Sequence, residues 1–205
     1  MKKNKSSKDW INKKNKENFF KKSKIIGYRS RSAFKLLEME KKFNFFKKNS
    51  YVLDLGCCPG GWLQVVTKKV KVGKVLGVDI KNMEEIKNVN FIKGDFLERD
   101  TKDKIENYFE KKINIVLSDM ATNTTGNKTL DSYRTGELCL NSMDIAVKML
   151  INDGIFLSKV FMGSIFSEIK EKAKKNFKKV VVYKPLSSKK ESKEIYIFCK
   201  GILKV

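Results

Sequence analysis

Short runs of apolar, β-branched and aromatic residues alternate along most of the chain with segments in which apolar residues recur at helical spacing. The runs have the length of buried strands, and the segments between them have the period of helices packed on a core. Strands are predicted at residues 51 to 55, 74 to 80, 90 to 92, 113 to 118, 154 to 161, 179 to 183 and 195 to 200. Helices are predicted at residues 30 to 46, 62 to 70, 102 to 109, 133 to 150 and 164 to 177. This alternation predicts an α/β fold with an open, mostly parallel sheet between two layers of helices.

A glycine-rich turn follows the first predicted strand and opens the next helix. Gly56, Gly60 and Gly61 form the turn, Asp54 lies near the end of the strand, and Asp79 lies near the end of the second strand. Ligands of such sheets bind beyond the carboxyl ends of the strands. The spacing departs from the G-x-G-x-x-G pattern of nicotinamide binders. Acidic residues beside the turn instead favour a cationic ligand that carries a ribose, and S-adenosyl-L-methionine is one.

Three further residues extend this candidate cofactor site. Asp95 closes the third predicted strand, Trp62 follows the turn, and Asp119 closes the fourth strand. We expect Asp95 to hold the adenine amino group and Trp62 to offer a flat face or a packing wall. A capping role is the alternative for each aspartate taken alone. Acidic residues at four strand ends favour a binding site.

The formal net charge of the chain is +22. A field of this sign attracts polyanions, and each phosphate that is neutralised releases counterions, so nucleic acid is the expected partner. Coding bias towards lysine is the alternative explanation. Residues 1 to 24 are predicted to form a basic arm, interrupted by Trp10, Ile11, Phe19 and Phe20, in front of one domain that spans residues 25 to 205.

Histidine is absent, and the four cysteines match neither a disulfide framework nor a zinc-binding spacing. Any catalytic base must therefore be Lys, Asp, Glu, Tyr or Cys. We predict no metal site and interpret the cysteines as small buried residues. No apolar run approaches the ~20 residues that cross a bilayer, and the first residues are too polar for a signal peptide. An intracellular protein without membrane association is expected.

Lys35, Asp119, Lys159 and Glu194 are spread along the chain, but their local contexts place them at one end of the predicted sheet. Two ammonium groups and two carboxylates at one site suit the removal of a proton from a weakly acidic hydroxyl. A lysine accepts a proton only in its neutral form, which burial or a second cation favours. Unrelated surface charge is the alternative for any one of the four taken alone.

Five blocks of sequence resemble, in order, the FtsJ family of RNA 2′-O-ribose methyltransferases. The likeness is greatest to the short bacterial-type and organelle-type enzymes that act on large-subunit ribosomal RNA, and it runs from about Trp10 to the C-terminus. The blocks are YRSRSAFKL from Tyr28, DLG with PGGW from Asp54, SDMA from Ser118, KVF from Lys159 and SKEIY from Ser192. The departures are Cys57-Cys58 where Ala-Ala is common, Thr122 where a proline is usual, and Met162 where a polar residue is common.

The resemblance implies a Rossmann-like, class I methyltransferase fold that depends on S-adenosylmethionine, with a seven-stranded sheet in which one strand is antiparallel. It also implies a catalytic tetrad, in which Lys159 removes or guides the proton of a ribose 2′-hydroxyl. Asp119 would orient Lys159, and Lys35 and Glu194 would position the ribose. The implied cofactor contacts are Gly60, Trp62, Asp79, Asp95 and Asp119, with Gly56 and Gly61 shaping the loop.

The implied substrate is a uridine in the A loop of large-subunit ribosomal RNA, which the short chain without an appended C-terminal domain also favours. Arg29, Arg31, the basic arm and lysines 189, 190 and 193 are candidates for a phosphate track. A methyltransferase of the tRNA anticodon loop, a catalytically idle ribosome assembly factor and a nicotinamide-binding protein are the alternatives. We expect a monomer, and the cytoplasm, the nucleolus and an organelle remain open as its location.

Overall fold

The structure is a computed structural model that describes residues 21 to 121, 125 to 189 and 192 to 203. Each predicted strand and helix is present, with boundaries that differ by a few residues. The strands are β1 (Val52–Leu55), β2 (Val75–Asp79), β3 (Asn90–Lys93), β4 (Ile113–Ser118), β5 (Leu150–Phe161), β6 (Phe177–Tyr183) and β7 (Glu194–Ile202). The helices are α1 (Ser32–Phe43), α2 (Gly61–Lys69), α3 (Arg99–Phe109), α4 (Lys128–Met149) and α5 (Phe166–Asn176).

The strands form one sheet in the order β3-β2-β1-β4-β5-β7-β6. Neighbouring strands are parallel except at β7, which is antiparallel to both β5 and β6. This arrangement confirms the predicted fold class. Because β7 runs against β5, the start of β7 lies beside the end of β5: Glu194 pairs with Phe161, and Tyr196 pairs with Lys159. A residue at the start of β7 therefore reaches the edge of the sheet where ligands are expected.

Helices cover both faces of the sheet. The apolar residues that α3, α4 and α5 bury on one face include Ile105, Phe109, Met143, Ala146, Ile169 and Ala173. Those that α1 and α2 bury on the other face include Ala33, Leu36, Met39, Leu63 and Val66. Burial of both faces explains why the strands are almost continuously apolar in sequence.

Two boundaries of the fourth helix and fifth strand differ from the prediction. α4 begins at Lys128, before the predicted start at residue 133, because the side chain of Asn127 accepts hydrogen bonds from two backbone N–H groups of the first turn. β5 begins at Leu150, directly after α4, and pairs with Ile113 before a shift in register. The polar loop after β4 is accordingly shorter than its sequence indicates.

Of the predicted basic arm, the structure describes only residues 21 to 24, which lie in a helical segment with exposed lysines. The predictions for Trp10, Ile11, Phe19 and Phe20, and the departure at Thr122, fall outside the described residues. Among the helices within those residues, none combines the length and the apolar character needed to cross a membrane.

Candidate active site

The carboxyl ends of β4 and β5 bring together the first pair of predicted catalytic residues. Asp119 follows β4 directly, and Lys159 lies near the end of β5. Nζ of Lys159 is 3.2 Å from Oδ1 of Asp119 and also donates a hydrogen bond to the backbone oxygen of Asp119. Only 8% of the Lys159 side chain and 17% of the Asp119 side chain are exposed. The ammonium group is therefore fixed in one position.

The start of α1 and the start of β7 supply the second pair. Nζ of Lys35 is 2.6 Å from Oε1 of Glu194, and both side chains are largely buried. The hydroxyl of Ser188 donates a hydrogen bond of 2.9 Å to the same carboxylate oxygen. The loop that precedes β7 therefore helps to orient Glu194.

Tyr196 connects the two pairs. Its hydroxyl donates a hydrogen bond of 2.7 Å to Oδ1 of Asp119, and Nζ of Lys35 lies 5.8 Å from the centre of its ring. Burial raises the pKa of Tyr196 well above its usual value, and the charges of Asp119 and Glu194 raise it further. The tyrosine is therefore a neutral hydrogen-bond donor. The sequence argument gave it no role, although it stands in a recognised block two residues after Glu194.

A cavity of about 420 Å³ opens beyond the carboxyl ends of the strands, next to the tetrad. Its wall includes Asp79 and Asp95, together with Asp119 and Lys159. Asp79 accepts backbone N–H bonds from Cys58 at 2.9 Å and from residue 81 at 2.8 Å, and Asp95 accepts one from residue 97 at 2.9 Å. These hydrogen bonds fix both carboxylates at the cavity wall.

The glycine-rich turn has the backbone geometry that its glycines permit. Gly56 and Gly60 have φ values of 71° and 102°, which residues other than glycine rarely adopt. A Cβ atom on Gly61 would lie 2.1 Å from the hydroxyl oxygen of Ser30. Of these glycines, Gly56 lines the large cavity. Gly60 is buried, with the side chains of Ile86 and Met83 next to its Cα, so its contact with a cofactor stays a prediction.

A second cavity of about 30 Å³ lies beneath the turn, and Gly61 and Trp62 are among the residues that line it. Trp62 is buried, and its Nε1 donates a hydrogen bond of 3.0 Å to the backbone oxygen of Ser32. Because the ring is buried, these contacts favour the expected packing role of Trp62 over an exposed flat face. A direct contact of Gly61 or Trp62 with the cofactor stays a prediction.

Asp54 also lines the small cavity, and its carboxylate is 1% exposed. Neither of its oxygens has a hydrogen-bond partner among the residues that the structure describes. Burial raises the pKa of Asp54 well above its usual value, and the charges of Asp119 and Asp79 raise it further. Three acidic groups so close together favour a cation in this region.

Arg29 requires a correction to the sequence analysis. Its guanidinium group donates hydrogen bonds to the backbone oxygens of Pro59 at 3.3 Å, Glu84 at 2.7 Å and Glu85 at 2.8 Å. It therefore ties the glycine-rich turn to the segment after β2, and these donors are not free for the predicted phosphate track. Lys189 and Lys193 are exposed near Glu194, as such a track requires, and Lys190 lies outside the described residues.

Comparisons with known proteins show which family the chain is similar to. A family model of FtsJ-like methyltransferases matches residues 28 to 202. Ribosomal RNA large subunit methyltransferase E of Pelagibacter ubique is 48% identical over 200 residues, which cover 98% of this chain and 98% of the relative. The protein of the same name from Rickettsia rickettsii is 40% identical over 198 residues, which cover 94% of this chain and 87% of the relative.

Two solved structures resemble the fold. A Plasmodium falciparum protein assigned as a ribosomal RNA methyltransferase has a TM-score of 0.78 and 36% sequence identity, covering 87% of this chain and 100% of its own. A Streptococcus mutans protein assigned as a methyltransferase, in complex with S-adenosylhomocysteine (SAH), has a TM-score of 0.55 and 18% identity, covering 82% of this chain and 97% of its own. The second likeness concerns the fold alone.

Proposed function

The chain belongs to the FtsJ-like methyltransferase family, and from this premise we propose that it transfers a methyl group from S-adenosylmethionine to a ribose 2′-hydroxyl of RNA. The proposed target is a uridine in the A loop of large-subunit ribosomal RNA. Two relatives that carry the name Ribosomal RNA large subunit methyltransferase E align with more than nine tenths of this chain, which supports a ribosomal substrate.

One observation carries the proposal for the chemistry: two buried lysine–carboxylate pairs, bridged by Tyr196, stand beside an acidic cavity. Such pairs hold the lysine nitrogens in fixed positions. The pairs contain neither a thiol nor an imidazole, which are the nucleophilic groups of many other enzymes. An enzyme that methylates a hydroxyl needs this kind of arrangement, because it must align the oxygen and remove or guide its proton.

The acidic cavity fits the proposed cofactor. Asp79 and Asp95 present carboxylates that suit the ribose hydroxyls and the adenine amino group. Asp54 lines the small cavity beneath the turn, and a cationic ligand bound nearby would favour its ionised form. When bound, S-adenosylmethionine would supply a methyl group on a sulfonium sulfur, which would leave as the neutral thioether of SAH when an oxygen nucleophile attacks the methyl carbon. The Streptococcus mutans structure, which shares the fold, contains the corresponding product SAH.

The tetrad residues have distinct roles in this proposal. Lys159 removes or guides the proton of the 2′-hydroxyl, and Asp119 orients Lys159 through their 3.2 Å contact. Lys35 and Glu194 position the ribose from the other side of Tyr196. Lys159 accepts the hydroxyl proton in its neutral form, which requires that its ammonium group first lose a proton to solvent. The accepted proton then leaves to solvent.

RNA binding in this proposal depends on charge. The net charge of +22 favours a polyanion, and Lys189 and Lys193, which are close to Glu194 in sequence, are exposed. Phosphate contacts of this kind place RNA without reading its sequence. Selection of one nucleotide must then depend on the shape of the RNA around it.

The test measures transfer of labelled methyl groups to large ribosomal subunits, naked ribosomal RNA, tRNA and capped RNA in parallel. Lys159→Ala should abolish transfer and leave SAH binding by calorimetry nearly unchanged. Lys172→Ala is the matched control, because Lys172 also lies in an ion pair, with Asp144 at 2.6 Å, but on α5. It should retain activity.

The outcomes separate the alternatives. Label on the ribose of large-subunit RNA, lost in Lys159→Ala, supports both the reaction and the substrate. Label on tRNA would keep the chemistry and replace the substrate with an anticodon-loop nucleotide. Bound SAH without label on any RNA would favour the catalytically idle assembly factor, and activity in Lys159→Ala would refute the role given to that lysine.

A further inference from the structure

The pair Cys57-Cys58 has no role in the proposed reaction, yet it borders the proposed cofactor site. The two residues stand in the glycine-rich turn, where the resembled family commonly has two alanines. Neither cysteine forms a disulfide, and the thiol of Cys58 donates a hydrogen bond of 3.3 Å to the backbone oxygen of Lys81. The sulfur of Cys57 fits against β2 because residue 77 is a glycine, where an added Cβ atom would lie 2.8 Å from that sulfur.

The fold places two more donor groups beside these thiols. The sulfurs of Cys57 and Cys58 and a carboxylate oxygen of Asp79 all lie within 4.8 Å of one another. The thioether sulfur of Met83 lies 4.0 Å from the sulfur of Cys57. Two thiols, one carboxylate and one thioether therefore converge from the turn, the end of β2 and the segment after it.

We propose that Cys57, Cys58 and Asp79 form a binding site for a thiophilic divalent cation of the zinc type, with Met83 beside the ion. Thiolate sulfur is the protein ligand that such ions prefer, and a carboxylate completes many of their sites. Each thiol gives up its proton to solvent as its sulfur binds the metal. Met83 or a water molecule takes the fourth position of a tetrahedral site.

The geometry of Asp79 favours this assignment. Each of its carboxylate oxygens accepts a single backbone N–H bond, from Cys58 at 2.9 Å and from residue 81 at 2.8 Å. A carboxylate oxygen has two lone pairs, so one on each oxygen remains for a ligand. The bond from the Cys58 N–H also fixes the carboxylate beside the thiols before any metal arrives, which reduces the entropy cost of assembling the site.

The site would couple metal binding to the cofactor, a consequence that rests on the proposed function. Cys58 and Asp79 both line the cavity of about 420 Å³, and Asp79 is the carboxylate proposed to bind the ribose of the cofactor. One carboxylate cannot serve a metal and the ribose in the same way at once. The metal and the cofactor should therefore compete, and thiophilic ions should inhibit the enzyme.

The first experiment titrates the reduced, metal-free full chain with Cd²⁺ and follows the ultraviolet sulfur-to-cadmium charge-transfer band, with equilibrium dialysis for stoichiometry. The wild-type protein should bind one ion per chain with the band of two thiolate ligands. Cys58→Ala should show about half of that intensity, since one of two Cd–S bonds remains. The Cys57→Ala/Cys58→Ala variant should lose the band.

The double variant is an internal control, because it retains Cys139 and Cys199, both buried in the core. Its folding is verified by a circular dichroism spectrum and a thermal unfolding midpoint that match those of the metal-free wild type, as the alanine pair common in the family leads us to expect. A full band in the double variant, or no band in the wild type, would overturn the metal site.

The second experiment measures SAH binding by calorimetry at several concentrations of free Cd²⁺. For the wild type, the apparent dissociation constant of SAH should rise once the concentration of free Cd²⁺ exceeds the dissociation constant of Cd²⁺. Above that concentration, the rise should be proportional to the concentration of Cd²⁺. For the double variant it should not change. Independent binding of the two ligands would overturn the competition. Absence of SAH binding in metal-free protein would refute the proposed cofactor and leave the Cd²⁺ band to decide the metal site.

Discussion

The hydroxyl of Tyr196 and the ammonium group of Lys159 meet at one oxygen, Oδ1 of Asp119, at 2.7 Å and 3.2 Å. The shared oxygen follows from strand pairing, because Tyr196 stands opposite Lys159 in the register of β5 and β7. The tyrosine is therefore positioned to hold the carboxylate that in turn holds the lysine. In the proposed reaction it is a positioning residue.

Tyr196→Phe should lower kcat more than it lowers SAH affinity, because Tyr196 itself does not line the cofactor cavity, whereas Asp119, which it orients, holds Lys159. A hydrogen bond to a charged group contributes about 1.5 to 3 kcal/mol, so kcat should fall roughly 10- to 100-fold. Single-turnover methyl transfer measures the effect. Tyr183→Phe, a matched change on β6, should leave the rate intact. Equal rates for both variants would remove Tyr196 from the mechanism.

The buried pair formed by Lys35 and Glu194 should contribute to stability as well as to activity. Removing one partner of a buried pair leaves a charge without compensation and costs about 3 to 5 kcal/mol. Lys35→Met and Glu194→Gln should each lower the free energy of unfolding, and the double variant should recover part of the loss. All three should be inactive, since positioning of the ribose is lost.

A double-mutant cycle from urea unfolding checks this coupling. The exposed pair of Lys104 and Asp100, at 2.6 Å, is the control, and its coupling should stay below about 1 kcal/mol. Additive effects of Lys35→Met and Glu194→Gln would mean that their contact adds no stability.

Most of the fold could be predicted from the sequence, because both periodicities are local. Strands buried on both faces read as short apolar runs, and each helix shows its apolar stripe. Part of the tetrad could also be predicted, because Asp119 and Lys159 lie near the ends of parallel strands. Such ends meet at one edge of a sheet. The boundary of α4 was missed because a single capping side chain, Asn127, sets it.

The remaining features of the site depend on contacts between distant segments. The role of Tyr196 depends on the register of two strands, and that of Arg29 depends on carbonyl groups up to 56 residues away. A backbone carbonyl leaves no trace in sequence that would identify it as the partner of an arginine. The position of Asp79 beside Cys57 and Cys58 is hidden for the same reason, because a cysteine spacing rule considers only the cysteines.

Arg29 and Arg31, close in sequence, should separate cofactor binding from RNA binding. Arg29→Ala removes the links to Pro59, Glu84 and Glu85, so SAH affinity should fall roughly tenfold or more, at about 1.4 kcal/mol per factor of ten. Arg29→Lys should restore little, since lysine lacks the planar fork of donors. Calorimetry with SAH measures these changes.

Arg31→Ala is the comparison, and it should leave SAH affinity intact. It should weaken RNA binding and reduce the salt slope of that binding by about one, as expected for a phosphate contact. The interpretation of Arg29 fails if Arg29→Ala binds SAH as the wild type does and loses RNA affinity instead.

The buried carboxyl group of Asp54 should make the stability of the protein depend on pH. Because burial raises its pKa in the folded protein, the folded state favours the protonated form more than the unfolded state does. The folded protein should therefore lose stability as the pH rises from the ordinary aspartate value of about 3.9 through the raised value. Asparagine has no proton to lose, so the stability of Asp54→Asn relative to the wild type should rise with pH across this same window.

Thermal unfolding of both proteins across this pH range measures the difference, and Asp103→Asn, at an exposed position of α3, should show no comparable trend. Binding of S-adenosylmethionine, measured by calorimetry without RNA, should move in the opposite direction, because Asp54→Asn removes the carboxylate that we assign to the sulfonium of this ligand. A variant that is more stable but binds S-adenosylmethionine less well would mean that the unpartnered carboxylate is retained for binding at a cost in stability. A difference in stability that is constant with pH would show that ionisation of Asp54 is not its cause.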